Sequence, residues 1–227
     1  MAYTMVHILI AEEVQRKFER KIDYATYILG AIAPDAVHSI PNFVVAFKER
    51  SHLFTEGLKW GQVGNESEVK PWLDNIQQYY LKNRNKCNID FLLGYIVHLL
   101  ADVYCSVHFY GPFMSSVSGD LEAQKVQYKK ENYNVNYYLF ILFSKRENLL
   151  NILQSGEVIT LEGIIEKEVI EHRIGQLFEF EFKAENWDIS HIEEQKICSI
   201  EDMEKLIQEA SKFIEKIFVD GYYLLDE

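Results

Sequence analysis

Apolar side chains return every three or four residues along most of this chain, the repeat of helices that turn one face to a core. Residues 5–20 place Val6, Ile8, Leu9, Ile10, Val14 and Phe18 on the apolar side and charge on the other. Residues 23–33 (DYATYILGAIA) are apolar almost throughout and stop at Pro34, and 39–66 combine a short helical piece with a loop rich in Gly, Asn and Ser. A helix is predicted over 67–85, with Pro71 near its start, where a missing N–H costs little. Asn88 is placed to cap the next helix, which Gly111-Pro112 ends before a loop at 115–120. Further helices are predicted over 134–153 and 160–182, although FEFEF at 178–182 alternates with period two and leaves a strand open there. Ser199 caps a last amphipathic helix running to about residue 223. With no internal repeat, low-complexity tract or linker, the prediction is one all-helical domain over 1–227, an all-α multi-helix bundle.

The stretch Phe91–Phe113 (FLLGYIVHLLADVYCSVHFYGPF) is long enough to cross a bilayer. Asp102 sits at its middle, costing about 2.5–3.5 kcal/mol on insertion scales, with His98 and His108 to either side. An all-round apolar helix with three ionisable groups is predicted to be the central helix of the bundle, with no transmembrane segment.

Composition narrows the class. With 48% apolar and 26% charged residues the 227-residue chain is globular, and four prolines argue against a turn-rich β-sandwich. Its formal charge of −12 disfavours a stable nucleic-acid complex. The charge is uneven: residues 1–111 carry 12 acidic and 11 basic side chains, residues 112–227 carry 23 and 12. Five of the seven histidines lie in the near-neutral part, so chemistry is expected in a half of about 1–113, beside an acidic helical half of about 114–227. Cys87, Cys105 and Cys198 are scattered without metal-ligand spacing, neither a disulfide framework nor a zinc finger. The N-terminus has no basic segment before its apolar stretch, and a cytoplasmic location is expected.

The candidate chemistry is His98-Leu-Leu-Ala-Asp102 followed by His108. Positions i and i+4 share a helix face, so the imidazole and the carboxylate can grip one ion or simply bond to each other. His108 lies at about −80° from His98 on an α-helical wheel, placed for a second ion nearby. A buried Asp102 needs a partner, and upstream stand His7, Asp35 after Gly30-Ala-Ile-Ala-Pro34, and His52. Each has a plain structural reading alone, as cap, loop or core residue. Together they form an ordered series, His7, Asp35, His52, His98-x3-Asp102-x5-His108.

That series resembles the zinc-dependent phospholipase C family, related to the fungal single-strand-specific nucleases, over residues 1 to about 111. The resemblance implies an all-α fold with a metal site at the bottom of a cleft around the central apolar helix. It implies one zinc on Asp35, His52, His98 and Asp102, and a second on His7, a shared Asp102 and the N-terminal residue. A third would use His108 with a later His-x3-Glu pair. No such pair follows, which leaves Glu122 or Glu131 as substitutes, so one tight zinc is expected and up to three are possible. Asp35 would also act as the catalytic base. The implied activity is hydrolysis of a phosphate ester, on a phosphate-ester small molecule or phospholipid head group. A nuclease-like phosphodiesterase and a metal-stabilised helical protein without catalysis are the alternatives. Tyr95, Tyr104, Phe109, Tyr110 and Phe113 are placed either to meet acyl chains or bases or to pack in the core. His38 is a candidate to orient a ligand or line the cleft, His172 reads as a solvated helix residue, and His191 as a weak ligand at most.

Overall fold

The computed structural model describes residues 3–58, 60–61, 63 and 65–219, with the backbone alone at 66 and 219. Its α-helices are α1 (Thr4–Gln15), α2 (Tyr24–Ile32), α3 (Val45–Ser51), α4 (Glu66–Asn83), α5 (Ile89–Cys105), α6 (Gly111–Ser116), α7 (Leu121–Leu142), α8 (Leu149–Ser155), α9 (Lys167–Gln176) and α10 (Ile200–Val219). No strand occurs among the described residues, only an isolated bridge between Leu161 and Ile165. The fold is all-α.

Helix α5 is the axis. Asn88 caps it by accepting from the Asp90 N–H, and Phe91 through Val103 is buried without interruption. The helical run Ile89–Ser116 is apolar and long enough to cross a membrane, but 89% of its most apolar stretch is buried inside the protein. Helices α1, α2, α4 and α10 pack around it. Met203, Leu206, Ala210 and Ile214 of α10 join the same core as Val6, Ile10 and Val14 of α1, so the acidic half closes the bundle begun by the first.

Several local signals resolve differently from the sequence reading. Pro34 does not stop the chain; it opens a 3-10 turn, Ala33–Ser39, where its absent N–H would have been unpaired anyway. Gly111-Pro112 does not end the central run either. A π turn over Ser106–Tyr110 leads into α6, with Pro112 in that helix's free first turn. Helix α4 begins at Glu66, one residue before the predicted start, because Asn65 accepts from the Ser67 and Glu68 N–H groups, and Pro71 lies past its first turn.

The predicted 134–153 helix divides at Phe143, buried and extended (φ −67°, ψ 122°) between α7 and α8. Helix α7 also begins earlier, at Leu121, capped by Asp120; its exposed first turns, with Val126 70% accessible, carry no apolar stripe to reveal them. Within 160–182 only Lys167–Gln176 is α-helical, and FEFEF forms a π turn over Leu177–Glu181 rather than a strand. There Phe182 stacks on Phe140 at 4.2 Å and Phe178 packs against its edge. The last helix is described to Val219, and its predicted continuation to 223 lies outside the described residues.

Helices α2 and α5 make the tightest crossing in the bundle. A Cβ on Gly94 would lie 1.9 Å from the Tyr27 carbonyl oxygen, and one on Gly30 2.1 Å from that of Phe91. The helices cross backbone to backbone, at a separation only a pair of glycines allows. Gly94→Ala is therefore expected to lower unfolding free energy by about 3 kcal/mol or more. Gly175→Ala, where a Cβ meets nothing within 4 Å, should instead gain about 0.5–1 kcal/mol from helix propensity. Urea unfolding of the two variants checks this, and equal effects would contradict it.

Candidate metal centre

Five of the chemistry-bearing side chains meet at the crossing of α1, α2 and α5. His98 and Asp102 lie one helical turn apart on the buried face of α5. The close approach of α2 lets His98 Nδ1 donate to the Ala31 carbonyl at 2.7 Å, which turns Nε2 inward. His7 comes from α1, its ring stacked on His98 with centroids 3.6 Å apart and planes 10° apart. Asp35 enters from the 3-10 turn after α2.

His52 follows the last residue of α3, its Nδ1 donating to the Lys48 carbonyl at 3.0 Å beside the Ser51 hydroxyl at 2.9 Å. The chain then turns through Leu53 at φ 52°, a left-handed conformation costing a non-glycine residue about 1–2 kcal/mol. Trp72, donating to the His52 carbonyl at 2.7 Å, and Asn75, donating to that of Leu53 at 3.2 Å, hold the turn in place.

Because a carbonyl only accepts, the Nδ1 of both His52 and His98 carries the proton, and each Nε2 presents a lone pair. These two nitrogens face each other at 3.2 Å. Around them, His52 Nε2 lies 3.2 Å from Asp102 Oδ2 and 3.5 Å from Asp35 Oδ1, His98 Nε2 lies 4.0 Å from Asp35 Oδ2, and His7 Nε2 lies 3.5 Å from Asp102 Oδ1. Both nitrogens of His7 and both oxygens of Asp102 are buried without a hydrogen-bond partner.

Lone pairs converging in a dry pocket are unfavourable unless a cation joins them. The donors form two overlapping triads, His7–Asp35–His98 and His52–His98–Asp102, each with all ligand atoms within 4.8 Å. Imidazole and carboxylate together suit zinc. The residues present fit that metal, and the backbone carbonyls behind His52 and His98 supply the orienting hydrogen bonds that metal-binding histidines need.

Protonation states agree with this. Burial lowers His7 to about 3, with His98 adding to the effect, and burial lowers His98 to about 4. Burial followed by the Lys48 charge lowers His52 as well. For Asp35 and Asp102 burial opposes ionisation, but the Lys48 ammonium and the neighbouring imidazoles outweigh it and hold both carboxyls below their usual range. At neutral pH the centre is three neutral imidazoles and two carboxylates, the forms that bind metal.

Lys48 is the residue that motif reasoning passed over. Its buried ammonium lies 2.9 Å from Asp35 and 3.9 Å from Asp102, an internal counter-ion for both. It precedes His52 by four residues in Lys-Glu-Arg-Ser-His, a spacing that puts the two on one side of α3 and was the available signal.

The structure does not bring His108 to the other five. The π turn accommodates an extra residue, rotates the helical phase, and leaves His108 exposed against Tyr104, ring centroids 4.3 Å apart. Nor do the substitute carboxylates reach it. Glu122 is exposed and pairs with Lys125 at 2.9 Å, while Glu131 accepts from the Ile197 and Cys198 N–H groups. His172 and His191 are exposed, beside Gln176 and Glu194. His38 sits 3.5 Å from Asp35 at the wall of a cavity of about 430 Å³ that opens beside Asp35 and Lys48. Of the five aromatic residues singled out, Tyr95 is a core residue whose hydroxyl donates to the Ser51 carbonyl.

An all-α protein with a buried His/Asp cluster suited to a metal ion and bordering a cavity is thus the class that fold and site define. A sequence model of zinc-dependent phospholipase C matches residues 6–212, and the chain belongs to that family. It is a hydrolase whose cofactor is zinc. The match extends a hundred residues past the motif-bearing segment, taking in the acidic half. No curated protein and no solved structure matches the chain.

His52→Ala and Asp102→Ala should lose bound zinc, whereas His108→Ala should keep the parent's content; elemental analysis after dialysis measures this, and equal loss in all three would refute the assignment. Zinc-free protein should also lose stability as pH falls from about 6.5 toward 4. In that window the unfolded histidines take up protons that His7 and His98, depressed to about 3 and about 4 when folded, refuse. Stability therefore rises with pH there, with a slope of at least two protons, roughly 3 kcal/mol per pH unit or more, because the lowered His52 adds to it. Denaturant melts at stepped pH test the sign.

Proposed function

We propose that this chain cleaves the glycerol–phosphate bond of a phospholipid, as a phospholipase C, leaving the phosphate on the head group. The observation that carries the reading is the continuity of the donor cluster with the 430 Å³ cavity: Asp35 belongs to both, and Lys48, its ion-pair partner, lines the cavity beside it. His7, Asp35, His52, His98 and Asp102 would hold zinc. Bound there, zinc makes an attacking water acidic enough to lose a proton at neutral pH and offsets charge building on the phosphoryl group.

The chain's own residues do the rest. His52 and His98, locked by their backbone hydrogen bonds, keep their lone pairs aimed and their rings immobile. Asp102, fully enclosed, supplies negative charge at the floor of the site. Asp35 is 13% exposed at the side chain and borders the cavity, so it is the carboxylate able to accept the proton of the attacking water. Lys48, also on the cavity wall, would donate to an incoming phosphoryl oxygen. That Cys87, Cys105 and Cys198 form no disulfide supports a reducing, cytoplasmic setting, and the formal charge of −12 favours lipid over nucleic acid as substrate.

Zinc-loaded protein on phospholipid vesicles is expected to release diacylglycerol and a phosphorylated head group, to stop on chelation, and to resume when zinc is restored. Asp35→Asn should lower turnover by about 10²–10⁴-fold. Release of phosphatidic acid, or cleavage of single-stranded DNA with vesicles untouched, would overturn the proposal.

A further inference from the structure

Part of the cavity wall is built by the acidic half of the chain, and its chemistry is not acidic. Arg173 of α9 and Lys129 of α7 face it together with Lys48. Against these three cations stand two carboxylates, Asp35 and Glu181. Arg173 is tied to Glu181 and lies 3.3 Å from the Thr4 hydroxyl. Glu181, buried, also accepts from Thr4 at 2.8 Å and Asn136 at 3.2 Å, so the guanidinium is anchored from behind. In a chain of formal charge −12 this is a local cationic surface.

The aromatic residues of the same cavity reinforce that character. Trp60 and Tyr133 are of the kind that enclose a quaternary ammonium through their ring faces. Here those faces are taken by the protein's own cations. Lys48 Nζ lies over the Trp60 ring at 4.9 Å, and Lys129 Nζ over Tyr133 at 5.9 Å. Tyr133 is also stacked on Trp187, at 4.6 Å with planes 9° apart. A choline or ethanolamine head group would meet an ammonium ion already beside each ring and sit among like charges.

We infer that this cavity selects phosphodiesters whose head group carries no amine, so that the ligand is a net anion such as a glycerol- or inositol-headed phospholipid, and that Arg173 and Lys129 set the preference. The inference rests on the phospholipase C reading for its substrate, but head-group binding tests it without catalysis. Calorimetry would compare glycerophosphoglycerol and glycerophosphoinositol, two glycerol phosphodiesters without an ammonium, with glycerophosphocholine, which carries one.

The anionic diesters should bind tighter by ~10-fold, the equivalent of one charge contact. Arg173→Gln should bring the affinities together. Because that change strips a partner from buried Glu181, Lys129→Glu at the exposed rim serves as the second variant, and it too should shrink the preference while leaving the melting temperature unchanged. Equal binding by the parent, tighter binding of glycerophosphocholine, binding of neither, or a preference untouched in both variants would overturn the inference. Hydrolysis of phosphatidylinositol vesicles against phosphatidylcholine vesicles then addresses the enzyme separately. Head-group discrimination without turnover of either would sink the phospholipase reading and leave the binding preference standing.

Discussion

Two glycines let two helices touch along their backbones, and the metal centre is a consequence of that contact. With Gly30 and Gly94 facing, α2 lies so close to α5 that the Ala31 carbonyl reaches His98 and sets its tautomer. The same closeness brings Asp35, four residues beyond Ala31 in chain order, over the face of α5 that carries Asp102. Overpacked contacts cannot relax in an interior packed as densely as an organic crystal. The spacing of the ligands is therefore inherited from the helix crossing rather than from any property of the ligands themselves.

Electrostatics makes the centre unusual as a piece of protein core. Two carboxylates, three imidazoles and one ammonium group are enclosed with few hydrogen bonds among them, a costly arrangement by ordinary rules for burying charge. Lys48 moderates that cost, since its ammonium is shared between Asp35 and Asp102. A divalent cation among the same carboxylates would repel it.

The acidic half has two tasks in this architecture. Helix α10 completes the apolar jacket of α1 and α5. Helices α7 and α9 deliver a small set of basic and aromatic side chains to the cavity, anchored through Glu181 and Thr4. Net charge is thus a poor guide to the local field: a domain can be strongly acidic over its surface and cationic where a ligand enters.

Much of this was legible from residue order. Helical periodicity and the cap at Asn88 depend on neighbours three or four residues apart, so α1, α2, α5 and α10 could be read directly, and the His98–Asp102 pair shares a face for the same local reason. What could not be read were quantities set by partners distant in sequence. Phe143 divides a helix because it is buried in an extended conformation, and Phe178 and Phe182 look like strand residues until Phe140 is packed against them. His108 kept its α-helical phase on paper and lost it to a π turn. Lys48 becomes a counter-ion only when Asp35 and Asp102 arrive from elsewhere in the chain, and Arg173 joins the cavity across 169 residues from Thr4. The order of the residues determined which side chains could share a helix face; only the packing of helices, governed by how closely their backbones approach, decided which faces meet and which charges must neutralise each other.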